Sequence, residues 1–133
     1  MLEFKKVNVN PKHRKTGDCS TRALVSTLGI PYEDALKYQY EEAVKSCYGI
    51  TDKHIMERVL NRFGWVKMPQ PRKEDGRKYT VGELDSITSA SQRNEGIFVT
   101  IAGHHTCVKD FSVIDMWDCR GYTVGNYYVK ENR

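Results

Sequence analysis

Residues 96–117 read GIFVTIAGHHTCVKDFSVIDMW, and this stretch decides the fold class. β-Branched and aromatic residues gather into short runs, Ile97–Ile101, His104–Lys109 and Ser112–Trp117, separated by Ala102-Gly103 and by Asp110-Phe111. Runs of this kind bounded by turn residues read as strands, and Tyr122–Val129, beyond the Asp-Cys-Arg-Gly break at 118–121, reads as one more. The expectation is an antiparallel meander. A two-residue turn at Asp110 and Phe111 sets its register: Val108 faces Val113, Thr106 faces Asp115, and His104 faces Trp117.

One face of that hairpin carries His104, Thr106, Val108, Val113, Asp115 and Trp117; the other carries His105, Cys107, Lys109, Ser112, Ile114 and Met116. Diagonal cross-strand neighbours lie about 7–8 Å apart at the backbone, within reach of an imidazole-to-carboxylate hydrogen bond. His104 stands in that relation to Asp115, and His105 stands in the same relation to Asp118 on the opposite face. Strand parity leaves both pairs open.

Upstream, the pattern is helical. Thr16, Gly17 and Asp18 precede Cys19–Leu28, where Ala23, Leu24, Val25 and Leu28 recur at helical spacing until Gly29 and Pro31 stop the run. A second helix follows Pro31, with an apolar stripe of Leu36, Tyr40, Ala43, Val44 and Cys47. Thr51 caps a third, carrying Ile55, Met56, Val59, Leu60 and Phe63 and closed by Gly64. After a loop from Pro69 to Lys78, Thr80 and Glu83 form a capping box that opens a short fourth helix near Leu84, and Ser86–Ser91 reads as a mobile link. Helices gathered ahead of strands argue for an α+β domain in which the N-terminal helices pack on a C-terminal antiparallel sheet.

The chain of 133 residues, 39 % apolar and 29 % charged, is one ordinary globular domain's worth and excludes a disordered or fibrous main state. Its longest strongly apolar stretch, Ile97–Ala102, is far below the roughly 20 residues that cross a bilayer, so no membrane partner is expected. The start, MLEFKKVNVNPKH, lacks the apolar segment of an export signal. A cytosolic location with reduced thiols follows. Cysteines 19, 47, 107 and 119 form no C-x-x-C pair, so a zinc ribbon is unsupported. The net charge of +4 sits in residues 1–16, where Lys5, Lys6, Lys12, Arg14 and Lys15 face only Glu3. Residues 1–16 therefore read as a basic N-terminal arm and 17–133 as the domain. Such an arm could touch phosphates, but without an evident recognition helix a solvated basic face is favoured over nucleic-acid binding.

A thiol in the first turn of a helix feels the positive end of the macrodipole, which favours thiolate. Cys19 has that place, and a histidine oriented by a carboxylate would complete a nucleophile, base and orienter set. The segment TGDCSTRALVSTLG resembles the nucleophile helix of papain-like cysteine peptidases, and GHHTCVKDFSVIDMWD resembles that superfamily's histidine strand and return strand. Asp115-Met116-Trp117 is similar to its Asn/Asp-x-Trp pattern. The whole chain also resembles small uncharacterised phage and prophage proteins with a Gly-Asp-Cys helix and a Gly-His…Asp-x-Trp-Asp hairpin.

The resemblance implies a papain-like fold with Cys19 as nucleophile, His104 as base, Asp115 as orienter and Trp117 as the shielding ring. It departs in two places. The superfamily often has an oxyanion-hole glutamine where His13 stands, so Asn10 or the Cys19 backbone N–H would serve. Asp18 beside the nucleophile would raise the thiol's pKa unless capping or Arg22 occupies its charge. The implied activity is a phage or mobile-element thiol hydrolase in the host cytosol, cleaving an amide, isopeptide or thioester bond in a host protein or peptide without metal or organic cofactor. The alternative is a catalytically inactive papain-like scaffold that captures a host protein or nucleic acid.

Overall fold

A computed structural model describes residues 1–131, so the last two residues of the expected domain lie outside the described residues. In chain order the elements are β1 (Glu3–Lys6), α1 (Cys19–Leu28), α2 (Tyr32–Ser46), α3 (Lys53–Arg62), β2 (Trp65–Met68), a 3-10 helix (Val81–Ser86), α4 (Ala90–Glu95), β3 (Ile97–Ile101), β4 (His104–Lys109), β5 (Ser112–Asp115) and β6 (Tyr127–Lys130). The strands form one sheet in the order β1-β5-β4-β3-β6-β2, antiparallel except where β1 runs parallel to β5. This is an α+β fold, with N-terminal helices packed on a mostly antiparallel six-stranded sheet. No helix among the described residues is long and apolar enough to cross a membrane.

Strand alternation divides the core in two. Phe98 and Tyr128 face α1 and α3, where Leu24, Ile55, Met56, Val59 and Leu60 are buried. Val99, Val108, Val113 and Val129 face the other way, onto a layer made by Leu2, the 3-10 helix through Val81 and Leu84, and the 119–124 segment. The β4–β5 hairpin has the expected register, Val108 opposite Val113 and Cys107 opposite Ile114. Its turn needs positive φ, and Asp110 supplies 56°.

The meander is correct only for β3, β4 and β5. β6 leaves β5 and pairs on the far side of β3, with Phe98 opposite Tyr128, and β1 takes the vacated edge of β5. The expected strand from Tyr122 begins only at Tyr127, because earlier backbone groups bond to the 79–82 segment: Tyr122 and Arg120 carbonyls accept from Val81 and Gly82, and Val124 donates to Tyr79. Residues 1–16, expected as an arm, include the strand β1, and Leu2 just before it is buried. Lysine-rich edge strands hide from hydropathy because charge on an edge deters pairing with other chains.

On α2 the buried face is Ala35, Gln39 and Glu42, while Tyr40 and Val44 of the expected apolar stripe are exposed. Partners brought by other helices satisfy the polar pair. Thr21 donates to Gln39 at 2.8 Å, and Arg58 and Arg62 meet Glu42 at 2.9 and 3.2 Å. The α3 cap is Asp52 rather than Thr51, accepting from the His54 N–H. The Thr80–Glu83 capping box forms, but opens a 3-10 helix. The 86–91 segment, expected as a mobile link, instead leads into α4 through a second capping box of Ser89 and Gln92.

Gly96 joins α4 to β3 at φ 103°, and a Cβ there would stand 2.7 Å from the Thr27 carbonyl oxygen at the end of α1. Its own carbonyl accepts from the buried Trp65 indole at 2.9 Å. Gly96→Ala is therefore expected to cost about 1–3 kcal/mol through backbone strain and overpacking. Chemical denaturation measures it, and unchanged stability would mean that α1 and β3 are not in contact there.

Candidate active site

Three chain segments converge on Asp115. β1 pairs alongside β5 with Lys6 opposite Asp115, and the next residue, Val7, donates its N–H to the Asp115 carbonyl at 2.9 Å. From there the chain loops directly into α1, whose first residue is Cys19. α1 lies across β4, so the start of the helix meets the start of that strand, where His104 follows Gly103. His104 and Cys19 line one groove together with Gly17, Ser20 and Thr51.

The Asp115 carboxylate is buried and collects donors. His104 Nε2 lies 2.6 Å from Oδ2, the Met116 N–H donates to Oδ1 at 2.6 Å, and the buried Cys119 thiol donates to Oδ2 at 3.6 Å. Burial alone would favour the neutral acid, but the hydrogen bonds, led by His104, hold its pKa below the ordinary carboxylate value. For His104 the same contest runs in reverse. Burial disfavours the imidazolium, yet bonds to Asp115, Cys119 and Cys19 and the Asp115 charge outweigh it and raise the pKa to about 11. A hydrogen bond to His104 dominates at Cys19, outweighing its burial; the His105 backbone N–H and the His104 charge add to it, and the thiol falls below its ordinary value. The arrangement sets a thiol of lowered pKa beside a histidine of raised pKa that is anchored on a buried carboxylate.

The other expected residues fall as follows. Trp117 lies over the His104 ring at 4.8 Å between centroids and meets Tyr122 edge-on at 5.2 Å. His105 points to the helix side, its Nδ1 2.7 Å from Ser20 Oγ and its ring against Phe98. Burial there pushes its pKa down to about 4, so it is neutral. Asp118 is exposed and held by Arg120, so the rival His105–Asp118 pair does not form. Asp18 caps nothing with its side chain; its carboxylate takes an ion pair from Arg22 and hydrogen bonds from Tyr32 at 2.7 Å and Asn10 at 3.0 Å. The Asn10 amide nitrogen is thus directed at Asp18 and Tyr32, and holds Asp18 rather than facing Cys19. His13 is exposed with φ 52°.

Sequence reasoning missed Cys119 and Tyr32. For Cys119, whose thiol donates to the Asp115 carboxylate, its spacing of four from Asp115 was the available signal. The Tyr32–Asp18 contact spans two helices and left none. His104, Asp115 and Cys119 place their donor atoms within 4.8 Å of one another and could in principle grip a metal ion. Their geometry argues otherwise: ligands at zinc distances of about 2.0–2.2 Å in a tetrahedral site stand roughly 3.3 Å or more apart, whereas His104 and Asp115 share a 2.6 Å contact suited to a proton.

Iodoacetamide at about pH 6–7 is expected to alkylate Cys19 well ahead of the other cysteines. Cys107 and Cys119 are buried, with the Cys107 thiol pushed up to about 11, and Cys47 is exposed. Peptide mass spectrometry reads the order, and labelling of Cys19 no faster than Cys47 would contradict the ion pair. Comparison of the chain with protein-family models, curated proteins and solved structures returns no significant match.

Proposed function

We propose that the chain is a papain-like thiol hydrolase that cleaves an amide, isopeptide or thioester bond of a protein or peptide, of phage or mobile-element origin and acting in the host cytosol. The observation that carries the reading is Cys19 at the start of α1, sharing one groove with His104, whose Nε2 is held at 2.6 Å by the buried Asp115 carboxylate. With Asp18 engaged by Arg22, Tyr32 and Asn10, no carboxylate caps the first-turn amides of α1, which keeps the positive end of the helix turned to the sulfur.

In the proposed reaction the Cys19 thiolate attacks the carbonyl carbon, and the carbonyl oxygen takes the negative charge beside the Cys19 N–H. The bond to the leaving group breaks as His104 gives it the proton, leaving a thioester and a neutral imidazole. His104 then takes a proton from water, whose oxygen attacks the thioester carbon. The acid is released, and the ion pair is restored. Asp115 keeps the ring oriented and stabilises its charged form, while Trp117 covers one side of it. These steps need neither metal nor organic cofactor.

A second reading, an inactive papain-like scaffold that captures a host protein or nucleic acid, is favoured by one observation. The Asn10 amide is engaged by Asp18 and Tyr32, which leaves the oxyanion to backbone amides.

The histidine variants separate the readings. His104→Ala should slow Cys19 alkylation near neutral pH by about tenfold or more, His105→Ala should leave it nearly unchanged, and Asp115→Ala should fall between. Melting curves accompany them, because losing Asp115 leaves His104 without its buried partner at a cost of about 1–3 kcal/mol. If His105→Ala carried the loss, the base assignment would be wrong. Acylation requires ionised Cys19 and protonated His104, so its pH profile should stay flat from below the ordinary thiol range to about 11. Asp115→Asn removes the charge that raises His104 and should move the alkaline limb down toward the ordinary imidazole range; stopped-flow acylation by an activated ester measures it, and an unmoved limb would free His104 from Asp115.

A further inference from the structure

A second groove begins at Gly17, beside the one that holds Cys19 and His104, and differs from it in charge. Its walls are Lys6, Lys15, Thr16, Arg22, Met116 and Trp117. Arg22 is engaged by Asp18, but among the described residues no ion pair occupies Lys6 or Lys15. β1 puts Lys6 opposite Asp115 and on the same face as that carboxylate, and Lys5 opposite Ile114 on the other face. Trp117 is 39 % exposed and lends the groove an apolar wall, while contacts with His104 and Tyr122 occupy part of its ring surface.

Resting on the hydrolase reading above, we infer that this groove seats an acidic stretch of the peptide substrate next to the scissile bond, with substrate carboxylates on Lys6 and Lys15 and an apolar side chain against Trp117. Free lysines at the mouth of an active site draw anionic substrates by steering and short-range pairing, both weakened by salt. A single-stranded nucleic acid fits less well. Such ligands use successive aromatic platforms along a basic track, whereas this groove offers the remaining surface of one ring and leads to a thiol suited to carbonyl carbon.

Binding to full-length Cys19→Ala tests this without turnover. Trp65 is buried, so the fluorescence change on binding belongs to Trp117. The probes are capped peptides of equal length differing only in glutamate, glutamine or lysine at the same positions, and oligothymidylate. The glutamate peptide should bind about fivefold or more tighter than the glutamine peptide at low salt, with the margin shrinking as salt rises. Lys6→Gln with Lys15→Gln should abolish the margin, while Lys5→Gln with Lys109→Gln, an equal charge change at residues that do not line the groove, should keep it. No binding, no preference, a preference surviving the double variant, or tighter binding of oligothymidylate would each overturn the inference. In a parallel arm, the rate of Cys19 alkylation by iodoacetate relative to iodoacetamide should fall in the Lys6 and Lys15 double variant and hold in the Lys5 and Lys109 one. An unchanged ratio counts against the groove. Slow reaction of Cys19 with iodoacetamide itself counts instead against the hydrolase reading, and the peptide arm still decides the inference.

Discussion

A carboxylate removed from water must be met by donors, and the satisfaction of Asp115 is the constraint around which this molecule is arranged. Its side chain is answered by an imidazole, a backbone amide and a thiol, and its own carbonyl by Val7. Each answer comes from a different part of the chain. The imidazole requires the β4–β5 register, the thiol requires the turn that brings Cys119 back, and the Val7 contact requires β1 on the edge of β5. His104, held in place by Asp115, is the largest influence lowering the Cys19 thiol, so the electrostatics of that sulfur are set by the packing at the sheet edge.

The same logic operates one layer away at Asp18. A carboxylate adjacent to the nucleophile would oppose a thiolate, and here it is drawn aside by Arg22, Tyr32 and Asn10. The two aspartates thus act in opposite senses: one charge is directed at the histidine, the other is withdrawn from the sulfur. His105, one residue from His104 but on the other face, is kept neutral by burial and contributes its backbone N–H to Cys19.

Local signals made the hairpin and the start of α1 legible in the sequence. A two-residue turn fixes strand parity, so His104 and Asp115 had to share a face, and Thr16-Gly17-Asp18 marked where the helix carrying Cys19 begins. Features that depend on distant partners were not legible. The buried face of α2 looks wrongly polar until Thr21, Arg58 and Arg62 arrive from neighbouring helices. β1 looks like a charged tail until β5 offers an edge, and β6 cannot be placed beside β3 without knowing that residues 119–124 are spent on the 79–82 segment. The engagement of Asn10 depends on Tyr32, a contact no spacing rule indicates.

The β1–β5 pairing joins the first strand of the chain to the penultimate one, and that has a kinetic meaning. Contacts between segments so far apart in sequence close a large loop, which is entropically slow and is stabilised only once most of the sheet exists. During synthesis the helices that carry Cys19 emerge long before Asp115. Until the hairpin joins them, the sulfur lacks the histidine that lowers its pKa. In a chain built in this order the lowered pKa of Cys19 arrives with the last strands and is a property of the finished sheet.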